Sequence, residues 1–228
     1  MSEYDPVPWP KLFAQIKREW KQGEHIAIIG PTGVGKTTLI SRIIDARKYV
    51  VVFVTKVHDN TIRNDFKGFE RIEQWPPKAY QNKVLLWPDV KGKTIRETLV
   101  HQRRIFQDAM DRIFVDKGWT CVFDEQLYIC EDLKLEPENK MFQHQGRSSN
   151  LSCINSTQRP SGVPLVTYSG STHYFIWNNQ IYTDLKRLSE IGGINPRMLE
   201  QHLSTLTKYE FLYGNTRTGV TARSQVER

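Results

Sequence analysis

Cysteine is scarce in this 228-residue chain. The three present, Cys121, Cys130 and Cys153, form no C-x-x-C pair, make an odd count, and show no metal-ligand spacing with the six histidines. That excludes a disulfide scaffold and a zinc site, and it predicts a reducing compartment in which thiols inside apolar runs act as small hydrophobes. Long apolar runs are missing too: none approaches the roughly 18 residues of a membrane-spanning helix, so no membrane insertion is expected. The N-terminus, MSEYDPVPWP, is acidic and proline-rich where a secretory leader would be cationic and then apolar, which predicts a protein that stays where it is made. There is no internal repeat, low-complexity tract or linker, and the length suits one domain spanning residues 1–228. Positive charge is in good supply. A formal net charge of +7 and a pI near 9.3 would concentrate a polyanion such as nucleic acid near the surface, although basic charge alone moves the odds only modestly.

Apolar periodicity organises the rest. Lys11 to Lys21 read as an amphipathic helix with Leu12, Phe13, Ile16 and Trp20 on one face, expected to lie as a flap (residues 1–22) over the sheet of a core at 23–214. Strand candidates are HIAIIG from His25, YVVVFVT from Tyr49, KVLLW from Lys83, WTCVFDE from Trp119, LSCINSTQ from Leu151, HYFIWN from His173 and KYEFLYGN from Lys208. Thr94 and Glu97 stand in the relation of a capping box, so a long helix should run from there to about Lys117, with Ile95, Leu99, Phe106, Met110 and Ile113 facing the core. Asn195 before Pro196 opens a helix to about Leu206. Residues 215–228 are polar enough to predict a mobile tail. Alternating strands and helices predict an α/β fold with a mainly parallel central sheet flanked by helices on both faces.

GPTGVGKT, Gly30 to Thr37, matches G-x-x-x-x-G-K-[ST] between a predicted strand and a predicted helix, which is the context that motif demands. Gly30, Gly33 and Gly35 let the backbone turn its amides around an oxyanion, with Pro31, Thr32 and Val34 between them. Lys36 reaches the β- and γ-phosphates, Thr37 offers a hydroxyl to Mg2+, and Thr38 continues the helix N-terminus. Asp124, just past the apolar CVF, is the second metal anchor. Glu125 beside it suits polarisation of an attacking water, a feature of ATPases. Room for two strands between Thr37 and Asp124 suits the ATPase division (ASCE, RecA-like) in which an extra strand separates the phosphate strand from the metal strand. Gln158 closes a later strand, at the edge of an open α/β sheet where ligands bind, and its amide could sense a phosphate oxygen.

GRSSNLSCINSTQRPS, Gly146 to Ser161, resembles the corresponding segment of the FtsK/HerA superfamily of DNA-pumping P-loop ATPases. The resemblance covers roughly residues 23–214 and is sharp only at the phosphate loop, CVFDE and TQRP. It implies Asp124 and Glu125 as metal and catalytic positions, Gln158 as sensor, and Arg147 as the arginine that enters a neighbouring subunit's ATP site, with Arg159 as the competing candidate. It further implies ATP and Mg2+ as cofactors, double-stranded DNA as cargo, and a ring of identical subunits, a hexamer in expectation. FtsK-type membrane spans and a HerA-type N-terminal barrel are missing. The layout is similar instead to genome-packaging ATPases of membrane-containing viruses, which implies docking at a capsid vertex or portal and a place in the virion and host cytoplasm. No acidic cluster after Gln158 predicts a nuclease. DNA-gripping cations are expected among Lys56 to Lys67 and Lys91 to Lys93, with Arg103 and Arg104 on the polar face of the long helix.

Rival readings have weaker support. A GTP switch could use Asp89-x-x-Gly92, but NKVL at Asn82 lacks the aspartate that reads guanine. A small-molecule kinase could use RNDFKGFER as a lid yet leaves TQRP unexplained. A filamentous-phage morphogenesis or secretion ATPase would carry a tether, and a purely structural ATP site has no need of Glu125.

Overall fold

The computed structural model describes residues 6–89, 94–192 and 196–226. Nine strands form one sheet in the order β3-β4-β2-β5-β6-β1-β7-β8-β9. They are β1 (His25–Ile29), β2 (Val50–Phe53), β3 (Glu70–Ile72), β4 (Lys83–Leu86), β5 (Thr120–Phe123), β6 (Ser152–Thr157), β7 (Ser171–Trp177), β8 (Glu210–Asn215) and β9 (Val220–Gln225). The first seven are parallel; β8 runs antiparallel to β7, and β9 antiparallel to β8. The five residues of β1 and the four of β2 and β5 are all buried, as central strands covered on both faces must be.

The alternation of side chains along these strands sorts the helices. Ile26, Ile28, Val50 and Val52 pack with helices α1 (Trp9–Glu19), α2 (Lys36–Ile43) and α3 (Asn60–Asp65) on one face. Val51, Phe53, Cys121 and Phe123 meet α4 (Ile95–Asp116) and α5 (Glu136–Gln145) on the other. Ala27 and Ile29, also on that face, meet α7 (Tyr182–Gly192) and α8 (Pro196–Ser204), with the short α6 (Leu165–Ser169) before β7. The mainly parallel sheet with helices on both faces is therefore present. The capping box at Thr94 and Glu97 forms and opens α4, whose stripe is Gln102, Phe106, Ala109, Met110 and Ile113; Ile95, expected in it, is 83% exposed. Asn195 lies outside the described residues.

Three expectations are corrected. The N-terminal helix is not a flap: Leu12 and Ile16 are fully buried, Trp20 nearly so, and Trp9 stacks on Phe13, so α1 is part of the core it was expected to cover. Within the expected tail the described residues, 215–226, are built into the sheet, because β9 completes a hairpin with β8 and Pro6 bridges to Arg223. Its sequence, VTARSQ, carries little apolar signal, and the strand is held instead by backbone pairing and by Arg223, whose guanidinium donates to both oxygens of Glu210. Finally, the strand inserted between phosphate and metal strands is β6, which follows the metal strand in sequence, and not one of those between Thr37 and Asp124. Among the described residues no helix is long and apolar enough to cross a membrane.

Candidate active site

The C-terminal edge of the parallel strands carries the site. Where β1 ends, Gly30 donates its amide to the Thr157 carbonyl at the end of β6. Trp177, at the end of β7, leaves no space for a larger residue there, because a Cβ on Gly30 would lie 2.8 Å from Trp177 Cβ. Gly33 and Gly35 have φ of 79° and 100°, the left-handed region that glycine occupies without strain, and the chain then enters α2. Lys36 folds back over the loop and donates to the carbonyls of Gly30 (2.7 Å) and Pro31 (2.9 Å). Burial lowers its pKa, opposed by the nearby charges of Glu125 and Asp124. A half-buried ammonium over a glycine-rich loop at a helix start is a site whose chemistry fits a polyanionic phosphate chain.

Thr37 Oγ1 donates to Asp124 Oδ1 at 3.4 Å, which brings together the hydroxyl and carboxylate expected to anchor the metal. Burial pushes the Asp124 pKa up, against the charges of Lys56 and Lys36; a divalent cation there would reverse that balance. One hydroxyl and one carboxylate, both oxygen donors, fit Mg2+, which keeps most of its coordination for water and phosphate. Glu125, also raised by burial, accepts from Gln158 Nε2 at 3.0 Å. Gln158 in turn accepts from the Thr32 hydroxyl at 2.7 Å. The side chain expected to sense phosphate thus bridges the phosphate loop and the candidate base.

One cleft of about 550 Å³ is lined by Thr32 to Thr38, Asp124, Glu125 and Gln158. Gly30 and Pro31 contribute the carbonyls that hold Lys36, and the Thr38 hydroxyl is taken by Asp65 of α3 (3.1 Å). Lys56, Asp59 and Thr61 also line this cleft, so the start of the stretch expected to grip DNA borders the candidate nucleotide site. Asp59 caps α3 by accepting from Thr61 and Ile62 amides, a local signal that a D-x-x-hydrophobic reading could have found. Trp177, Tyr209, Gln225 and Val226 close the cleft from a distance in sequence that no motif spans.

The two arginines part company. Arg147 is exposed in the turn after α5, packed by its backbone against Gly23, which precedes β1; it lies at the opposite end of the strands from its own phosphate loop. Arg159 lies near its own loop, beside a neighbouring cleft with Pro31, Thr32 and Gln158, and pairs through Nε with Asp184 Oδ2 at 3.1 Å. Arg103 and Arg104 are exposed on α4, and Lys91 to Lys93 lie outside the described residues. The GTP-switch pattern loses its geometry: Asp89 follows β4, four strand spacings or roughly 19 Å from β1, and pairs with Arg71 at 2.8 Å, while Gly92 is outside the described residues. RNDFKGFER is built into α3 and β3.

The glycine-rich loop after β1, the paired carboxylates after β5 and the β6 strand inserted between β1 and β5 together define the fold of the P-loop ATPases. No protein-family model matches the sequence, and no curated protein matches it. Among solved structures the chain is similar to B204, the DNA-packaging ATPase from Sulfolobus Turreted Icosahedral Virus, with a TM-score of 0.64 and 17% identity over 91% of this chain and 100% of that one. It is similar also to the genome packaging NTPase B204 from Sulfolobus turreted icosahedral virus 2 in complex with AMPPCP (TM-score 0.63, 13% identity, 90% and 98% covered). VirB4 of Thermoanaerobacter pseudethanolicus matches with a TM-score of 0.60 and 10% identity over 90% and 89%.

Proposed function

We propose that this protein is an ATPase of the FtsK/HerA type that drives double-stranded DNA, most specifically a viral genome into a preformed capsid. The observation that carries hydrolysis is the chain of contacts Thr32, Gln158, Glu125: a carboxylate held at the mouth of the phosphate cleft and tied to the phosphate loop by a neutral amide. A purely structural nucleotide site has no use for it. ATP and Mg2+ would supply the phosphoryl group and the charge that neutralises it. Lys36 would leave the Gly30 and Pro31 carbonyls for phosphate oxygens, Thr37 and Asp124 would hold the cation, and Glu125 would accept the proton of the attacking water. Gln158 would register the phosphate's departure through its bond to Thr32. The packaging reading is supported by end-to-end likeness to packaging ATPases, each chain covering nine-tenths or more of the other.

Arg147, remote from its own cleft and exposed, would serve a site in another subunit, which suits a ring of identical subunits. The expected order is a hexamer docked at a capsid vertex or portal. The test is ATP turnover with and without long double-stranded DNA over a range of protein concentrations. DNA stimulation and a specific rate that climbs with concentration are expected, and both should vanish in Glu125→Gln while ATP binding remains. Mixing inactive Arg147→Ala with inactive Glu125→Gln should restore turnover, because each supplies what the other lacks. A low rate indifferent to DNA and concentration sinks the motor reading. Recovery with Arg159→Ala but not Arg147→Ala would transfer the role to Arg159.

A further inference from the structure

The phosphate cleft reaches beyond the glycine-rich loop, and Tyr209, Gln225 and Val226 of the C-terminal hairpin line it. Strand order gives the cleft a direction. The metal and catalytic carboxylates follow β5 and the sensor amide follows β6, both on one side of β1; β7, β8 and β9 lie on the other. A phosphate chain seated on the loop with its terminal phosphate toward Glu125 and Gln158 must therefore send its nucleoside toward the hairpin. Register confirms which residues meet it: Trp177 pairs with Phe211, and Glu210 with Gln225, so Tyr209 and Gln225 stand at the same sheet edge as the end of β7. Trp177, Tyr209, Gln225 and Val226 all line the phosphate cleft. Lys56, Asp59 and Thr61 line it as well, but Lys56 and Asp59 are the charges that act on Asp124, which puts them at the metal end.

We infer that Tyr209 and Gln225 form the nucleobase site, Tyr209 as a stacking face and Gln225 as the amide that reads the base edge. This deepens the nucleotide-site reading above and rests on it. The chemistry selects a purine with a donor beside an acceptor. A carboxamide presents one acceptor and one donor side by side and pairs with the amino group and ring nitrogen of adenine, whereas guanine offers two acceptors on the same edge, which an arginine matches. Tyr209, half-buried, and the apolar Val226 line that end as a shelf with Gln225, which gives it aromatic, apolar and amide character; Glu210, the cross-strand neighbour of Gln225, is held by Arg223 and does not line the cleft among the described residues. The shelf also makes the hairpin part of the ATP site, so β9 has a role that its polar sequence conceals.

The test compares binding of ATPγS, GTPγS and inorganic tripolyphosphate to the full chain by calorimetry. Tyr209→Ala should weaken ATPγS by about tenfold, the order expected for loss of one base-aromatic stack, and leave tripolyphosphate unchanged. Gln225→Arg, an exposed substitution compatible with folding, should shift the ATPγS to GTPγS preference toward guanine by about tenfold. Equal weakening of ATPγS and tripolyphosphate by Tyr209→Ala, or an unchanged preference in Gln225→Arg, overturns the assignment. Wild-type protein that binds tripolyphosphate as tightly as ATPγS has no base site and overturns it too. Wild-type protein that binds neither removes the phosphate-site reading itself, and the base site with it.

Discussion

Asp184 is fully buried on α7, and its carboxylate is the hub of three contacts. Oδ2 accepts from Arg159 Nε at 3.1 Å and Asn179 Nδ2 at 3.3 Å, and Oδ1 accepts from the Ser161 amide at 3.1 Å. Replacing it by alanine strands two donors, the buried Asn179 amide nitrogen and the partly buried Ser161 N–H. Each such loss costs about 1–3 kcal/mol. Arg159 itself is 52% exposed and can turn to water, so the heavier penalty for an orphaned buried charge does not apply to it. Relief from burying the carboxylate offsets part of the total. The net expectation for Asp184→Ala is about 2–4 kcal/mol, a fall in melting temperature of roughly 5–10 °C for a chain of this size. Arg159→Ala should cost as much, about 2–4 kcal/mol, because it leaves the fully buried carboxylate without its counter-charge and two neutral donors offset only part of that. The double variant should be less destabilised than the sum by about 1 kcal/mol, since the charge pair is lost once. Urea unfolding at neutral pH measures all three. Turnover reports the functional link: Gln158 precedes Arg159, so loosening this anchor should lower kcat while the KM for ATP changes little. Additive single effects, or an Asp184→Ala variant as stable as wild type, would refute the argument.

Other consequences follow from the fold. Leu12→Ala should cost about 3 kcal/mol in urea unfolding, because Leu12 is fully buried under the sheet; a cost near zero would restore the flap. His25 is buried with Nδ1 accepting the Cys153 amide, and burial lowers its pKa from 6.5 to about 4. The unfolded chain therefore binds the proton first as pH falls. Stability is complete above about 6.5 and declines toward 4, by roughly 3 kcal/mol at 1.4 kcal/mol per pH unit, and unfolding free energies measured across that window should flatten in His25→Asn. The Arg223 guanidinium holds Glu210 down to about 2, so the hairpin's ion pair should persist as pH falls below 4.5 and fail only toward 2. Hydrogen exchange of β8 and β9 amides at pH 4 should accelerate in Arg223→Gln and stay slow in wild type.

The sequence by itself determined the glycine-rich loop and the paired carboxylates as candidate site residues, because each rests on local chemistry: glycines where the backbone must turn left-handed, a lysine and hydroxyl at a helix start, carboxylates after an apolar run; Gln158 was singled out by its place at a strand end and by the family resemblance. It also specified the capping box of α4, whose two hydrogen bonds span three residues. Tertiary structure alone decided the strand inserted between β1 and β5, since sheet order depends on which faces the helices bury and no residue spacing records it. It alone joined Thr32 to Gln158 and Gln158 to Glu125, contacts across more than thirty residues that no periodicity encodes. The N-terminal helix and the last strand were misjudged for one physical reason. Position near a chain end suggests exposure, yet α1 is held by the apolar face it buries and β9 by backbone pairing and one cross-strand ion pair, and neither depends on where the chain begins or stops.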